Sequence, residues 1–206
     1  MTDPRFQPDG RSNRARMLAG DFYIADDPEL ARESLHAATL TQQFNSAAAK
    51  AEEQRQRILR ELLGGLGDGT TIRAPFHCDY GYHIRFGSRT FVNFGLVALD
   101  VAPITIGDDV QIGPNVQLLT PTHPLEREGR RAKWESSQPI AIGNNVWLGG
   151  GVVICPGVTI GDNTVVGAGA IVVRSLPADV LAVGNPARVV GQLGHAAARG
   201  GETEKR

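Results

Sequence analysis

The chain has 206 residues, enough for one large domain or one and a half. Its 21 Lys and Arg nearly balance its 22 Asp and Glu, and no run of consecutive basic residues stands out, so neither a nucleic-acid partner nor a membrane-surface role has support. The only two cysteines, Cys78 and Cys155, sit where a repeat pattern takes small residues, which argues against a disulfide framework and for a reducing compartment, the cytoplasm.

Residues 1–12 are polar, lack the apolar stretch of a secretory signal, and read as a disordered tail. Residues 13–66 read as a helical module. Asp27-Pro28 supplies an N-cap followed by Pro at the first helical position, and Leu30, Ala37, Leu40 and Phe44 then fall near helical spacing. A second helix is expected over about 48–63, with Ile58, Leu59, Leu62 and Leu63 apolar and Gly64-Gly65 as its stop. Short helices are marginal alone, so these should pack on the remainder of the chain.

From residue 67 to 191 the pattern changes. An aliphatic residue recurs at every sixth position through Ile106, Ile112 and Leu118, and again through Ile142, Leu148, Ile154, Ile160, Val166 and Val172. A small residue follows most of them, as at Gly143, Gly149, Cys155, Gly161 and Gly167. Period six fits neither a helical stripe nor a hairpin. It fits one short strand and one corner, with the aliphatic side chain inward and the backbone crowding the corner. Turn formers stand at these corners, as in Gly107-Asp108-Asp109, Gly143-Asn144-Asn145 and Gly161-Asp162-Asn163. The chain is therefore expected to be mainly β, a parallel coil of hexapeptide repeats with an N-terminal helical module. A β-sandwich of short strands is the competing fold, but it has no reason to keep register six.

After Leu118-Leu119-Thr120-Pro121-Thr122-His123 the repeat breaks, and it resumes at Ile140. The intervening loop, 124–139, is too polar to stay inside a coil and must project. Residues 192–206, rich in Ala, Gly and charge, read as a frayed tail.

The ordered set of Asn93, Thr122-His123-Pro124, Ile142-Gly143-Asn144-Asn145-Val146-Trp147 and Gly184-Asn185-Pro186-Ala187-Arg188, together with the start Ala15-Arg16-Met17-Leu18-Ala19-Gly20, resembles the maltose and galactoside O-acetyltransferases over about residues 14–190. That resemblance implies a left-handed parallel β-helix, a homotrimer with active sites between subunits, acetyl-CoA as donor, a sugar hydroxyl as acceptor, and no metal.

It also implies roles for individual residues. His123 matches the family's catalytic His, and the chemistry agrees: a sugar hydroxyl must lose its proton as it attacks a thioester, and an imidazole is suited to take it. Glu135 matches a carboxylate of maltose-type members that can orient the imidazole or bind sugar hydroxyls. Asp79 and Asn93 match acceptor-side positions, Asn93 also facing the acetyl group, and the N-terminal acceptor contacts fall near Asp26, Asp27 and Ser34. The Arg that relatives carry at the Ser34 position is missing, although Arg32 is close by. On the donor side Trp147 matches an aromatic along the pantetheine arm. Gly150 matches a position whose backbone N–H faces the thioester, and Ala168 a point of close approach. Arg174 and Arg188 suit the nucleotide phosphates. A further basic residue of galactoside-type members falls on Gly191.

Three other readings compete. Drug-acetylating relatives share the coil and the His but usually lack the helical start. A γ-type carbonic anhydrase would need three converging His. Here His77 and His83, six residues apart, lie on adjacent faces and diverge. A non-catalytic scaffold coil is the third.

Overall fold

Ile142 pairs with Ile160, Leu148 with Val166 and Ile154 with Val172, each directly opposed in a parallel ladder. Each pair lies three periods apart, so the chain closes one turn of a coil for every three repeats. The result is a left-handed parallel β-helix with three flat faces. The structure, a computed structural model, describes residues 4–6, 9–48 and 50–194. One face stacks five strands from Gly65–Leu66 to Thr159–Ile160, and another five from Phe76–Cys78 to Ile171–Val172. The third stacks seven, from Thr71–Ile72 to Arg188–Gln192. The recurring aliphatic residues are all buried and form one continuous core along the axis.

The corners are held by side-chain ladders. Asp109, Asn145, Asn163 and Asp179 all have φ between 53° and 60°, the left-handed conformation that Asn and Asp tolerate. Asn145 Nδ2 donates to Asn163 Oδ1 (2.9 Å), and Asn163 Nδ2 to Asp179 Oδ1 (3.0 Å). One residue earlier, the Asp108 N–H donates to Asn144 Oδ1 and the Asn144 N–H to Asp162 Oδ1. The turn formers thus tie each coil to the next as well as bending it.

Both ends of the stack are covered. Helix α1 spans Asn13–Leu18, α2 Pro28–Ser46 and α3 Glu52–Leu62. Asp27 caps α2 as expected, accepting from Glu29 N and Leu30 N. Ala37, Leu40 and Phe44 of α2 and Ile58, Leu59 and Leu62 of α3 join the coil's core. Each fully buried large apolar side chain contributes roughly 1.5–3 kcal/mol. Asn45 then treats the edge strand as a neighbouring strand would: its Nδ2 donates to the Phe76 carbonyl (2.9 Å) and its Oδ1 accepts from Phe76 N (2.8 Å). At the far end Arg188–Gln192 turns back antiparallel on Val180–Val183.

Three boundaries differ from the sequence reading. The coil begins at Gly65, inside the stretch read as helical, because Gly65–Leu66 already pairs with Arg85-Phe86. Residues 4–6 and 9–12 are part of the module and not a tail: Phe6 packs edge-on against Phe22 (4.9 Å between centroids), and Ser12 caps α1. At the other end the last strand runs through Gln192, and Leu193 N donates to the Asp179 carbonyl; residues 195–206 lie outside the described residues, as do 1–3, 7 and 8. The projecting loop carries helix α4, Arg127–Arg131, and a strand, Trp134–Ser137. That strand pairs antiparallel with Pro121–Thr122 on one side and with Tyr23–Ile24 of the N-terminal module on the other.

The small residues after the aliphatic positions can be tested. A Cβ on Gly161 would sit 2.3 Å from Ala178 N, against backbone that cannot yield. One on Gly65 would meet only the Arg85 side chain, at 3.2 Å. Gly161→Ala should therefore destabilise the protein by about 1–3 kcal/mol, and Gly65→Ala by no more than about 0.5 kcal/mol. Thermal melts of the two variants check this; equal midpoints would contradict the crowding argument.

Candidate active site

The coil, the loop and the N-terminal module meet at a cleft of about 400 Å³. His123 lies just beyond the Pro121–Thr122 strand, with 60% of its side chain exposed. Its Nε2 is 3.5 Å from Glu135 Oε1, on a side chain only 16% exposed. The other carboxylate oxygen, Oε2, accepts a hydrogen bond from Tyr23 Oη at 2.7 Å. Tyr23 is 1% exposed, and burial, then the Glu135 hydrogen bond, holds its phenol far above the ordinary range and therefore protonated. Trp134, next to Glu135, is clamped in turn. The Arg16 guanidinium lies 5.3 Å over its ring, and Arg16 Nε donates to the Phe22 carbonyl (2.6 Å).

Asp79 enters the same cleft from the turn after Phe76–Cys78. That turn is built on Asp100, fully buried, whose Oδ1 accepts from the N–H of Asp79 and of Tyr80 (3.0 and 2.9 Å). Burial, then the neighbouring Asp100 and Glu135, pushes Asp79 up to about 7. A small apolar cluster includes Met17, Tyr23, Leu30, Tyr80 and Val101, four of which line the cleft beside the carboxylates and disfavour charge there. The cleft lining includes Asp79, His123, Glu135 and Ser34, and no Lys or Arg.

A second depression, of about 490 Å³, runs along the seven-stranded face. Asn93, Trp147, Gly150 and Ala168 line it together with Pro114 and Leu181. Trp147 is 55% exposed and stands in register between Gln111 and Val165. The groove floor is low at Gly113 and Gly149, where a Cβ would lie 2.6 Å from Gly150 N and 2.5 Å from Ala168 N. Asn93 Oδ1 accepts from the N–H of Phe94 (2.9 Å).

The sequence-derived candidates thus divide. His123, Glu135 and Asp79 come together in the cleft, and Asn93, Trp147, Gly150 and Ala168 in the groove, and the two linings share no residue. Asp26 and Asp27 do not line the cleft. Asp26 pairs with Lys133 (2.6 Å), and Asp27 is committed to the α2 cap and to Asn13. Their place in the lining is taken by Ala25, Ala31 and Ser34. Arg174 and Arg188 are exposed near the C-terminal end and do not line the groove. Among the described residues no group of three or more His, Cys, Asp or Glu is arranged to hold a metal; His83 Nδ1 is 2.7 Å from the Asp100 carbonyl. Tyr23 and Asp100 were not singled out by the sequence. Tyr23 sits in a two-residue strand outside any repeat, and Asp100 sits at a coil corner like many other acids.

Residues 16–67 match the family model of the maltose acetyltransferase hexapeptide capping motif, and residues 139–174 that of the bacterial transferase hexapeptide with six repeats. Nodulation protein L of Rhizobium meliloti (strain 1021) is 48% identical over 181 residues, covering 88% of this chain and 99% of the relative. The crystal structure of a maltose O-acetyltransferase from Clostridium difficile 630 is 42% identical, covers 90% of this chain and 99% of its own, and superposes with a TM-score of 0.88. A galactoside acetyltransferase in complex with coenzyme A is 38% identical, covers 89% and 92%, and gives a TM-score of 0.86.

The raised Asp79 has a thermodynamic signature. Below about pH 4 the carboxyl is protonated folded and unfolded, and it contributes no difference. Between about pH 4 and 7 only the unfolded chain gives up the proton, so this group's stability contribution falls as pH rises; above about pH 7 the loss is complete. Asp79→Asn should therefore stabilise the protein by about 2–4 kcal/mol at pH 8 and leave it unchanged near pH 4. Urea denaturation at both pH values reads this; an equal effect at both would show that Asp79 is not held protonated by the fold.

Proposed function

Because the chain belongs to the maltose and galactoside O-acetyltransferase family of hexapeptide-repeat proteins, we propose that it moves the acetyl group of acetyl-CoA to a hydroxyl of a sugar. The observation that carries the reading is His123 in an open cleft, 3.5 Å from a Glu135 that is itself fixed by Tyr23. The acceptor hydroxyl binds in the cleft beside Asp79 and Glu135. As its oxygen attacks the thioester carbonyl, its proton passes to the His123 imidazole. The carbon–sulfur bond then breaks, and coenzyme A leaves as the thiol, taking that proton. Both substrates are bound at once, with no acetyl-enzyme. Neither cysteine is a candidate nucleophile: burial pushes both thiols up, Cys78 strongly, against thiolate formation.

The donor lies in the groove, with the pantetheine arm along Trp147, the Gly150 N–H directed at the carbonyl oxygen, and Ala168 small enough to let the arm pass. The cleft and the groove have separate linings, which supports a site assembled between chains. A cyclic trimer sets one subunit's loop, with His123 and Glu135, against its neighbour's groove. The match of residues 16–67 to the maltose-type capping motif favours a sugar over a drug as acceptor. No helix among the described residues is long and apolar enough to cross a membrane, and both cysteines are free.

A panel of sugars and sugar alcohols with acetyl-CoA, read by thiol release, identifies the acceptor. On the best of these, His123→Ala should lower kcat by about 10²–10⁴-fold while leaving the KM for acetyl-CoA nearly unchanged. Ala168→Leu should do the reverse and raise that KM. Near-wild-type turnover in His123→Ala, or a trapped acetyl-cysteine, would refute the mechanism. Light scattering should report three times the chain mass; a monomer at micromolar concentration would refute the shared site.

A further inference from the structure

Tyr23 is a buried hydroxyl that reaches Glu135 from outside the coil. It belongs to the N-terminal module, two residues before Ala25 at the cleft wall. Its phenol is fully buried and donates to Glu135 Oε2 at 2.7 Å, and Glu135 Oε1 faces His123 at 3.5 Å. The backbone repeats the connection: Tyr23 is paired with Glu135 and Ile24 with Trp134 in an antiparallel bridge. Arg16, on α1, stacks on Trp134 from the same side.

We infer that Tyr23 is a positioning residue for the reaction, holding the Glu135 carboxylate so that one oxygen stays directed at the His123 imidazole. This rests on the acid–base reading of the cleft. A Glu side chain has three rotatable bonds, and Glu135 comes from a loop and not from the coil. Left free, its carboxylate would turn toward solvent through the open mouth of the cleft. The phenol removes that freedom. It takes one oxygen, leaves the other for the imidazole, and with its proton held by burial it serves only as a donor. On this reading the helical module completes the active site in addition to covering the end of the coil. The loop holds the acid and the module aims it.

The full-length chain is assayed with acetyl-CoA and the best acceptor of the panel, as wild type, Tyr23→Phe, Glu135→Gln and the double variant. Phe keeps the ring and removes only the donor. Tyr23→Phe should lose kcat roughly tenfold, the scale of a hydrogen bond to a charged group, with the KM for acetyl-CoA unchanged because Tyr23 does not line the groove. Glu135→Gln should lose at least as much, and the double variant no more than Glu135→Gln alone, since Tyr23 then has no carboxylate to aim. Replacement of Tyr23 by p-aminophenylalanine, which restores a donor at the same ring position, should recover most of the lost kcat. A merely structural role would give multiplying losses in the double variant or a raised KM for acetyl-CoA, and either result overturns the inference. So does wild-type kcat in Tyr23→Phe. The wider reading fails separately, through an active His123→Ala.

Discussion

A coil of this kind buries its aliphatic side chains only against the coils above and below, and hydrogen-bonds its backbone only along the same axis. Ile112, Leu148 and Val166 stand in one such column, each directly paired with the next. The register must therefore be strict, because a slip by one residue would carry a whole column outward. The stack must also be finished at each end, because the last strands present unpaired backbone and a bare apolar cross-section. The crowded glycines and the Asn and Asp ladders answer the first requirement. The helices with Asn45, and the returning strand Arg188–Gln192, answer the second.

The cleft that gathers His123, Glu135 and Asp79 sits where the coil is least regular. The corner at His123 is the point at which the repeat lets go, and the strand Trp134–Ser137 is held by main-chain pairing on both sides. The coil supplies Asp79 on a turn built around the buried Asp100, the loop supplies Glu135, and the module supplies Tyr23. The groove beside Trp147 is the regular part. Its floor is formed by residues whose identity packing already dictates, such as Gly149 against Ala168. Regular structure provides a smooth channel, and the interruption provides the charged groups.

Legibility in the sequence divides along the same line. The coil core was legible because each of its positions obeys one local rule; from Ile106 to Leu118, and again from Ile142 to Val172, the aliphatic residue at every sixth position is buried as expected. Helix α2 was legible from its cap and its apolar spacing. The loop was legible only as an interruption. Its strand is defined by pairing with Tyr23–Ile24, more than a hundred residues away in the chain, and no local rule announces such a partner. Asp26 and Asp27, assigned to the acceptor side by resemblance alone, stand outside the cleft lining for a similar reason: the ion pair with Lys133 and the α2 cap that engage them depend on how the segments fold together. The polar start looked like a tail because the edge-on contact of Phe6 with Phe22 spans elements that the sequence cannot place together.

The interruption also bears on how the chain finds its fold. Without it, each strand pairs with one a single turn of coil away, as Ile142 does with Ile160, and assembly can spread from any nucleus by closing one short loop at a time. Ile106 instead pairs with Ile142 across twice as much chain. The entropy of closing a loop grows only with the logarithm of its length, so this doubling costs about 0.6 kcal/mol. That is less than the burial of one aliphatic side chain, roughly 1.5–3 kcal/mol. A solenoid of this design can therefore carry a long excursion between two coils with little effect on its folding, and such excursions are a ready source of new reactive surface on an unchanged frame.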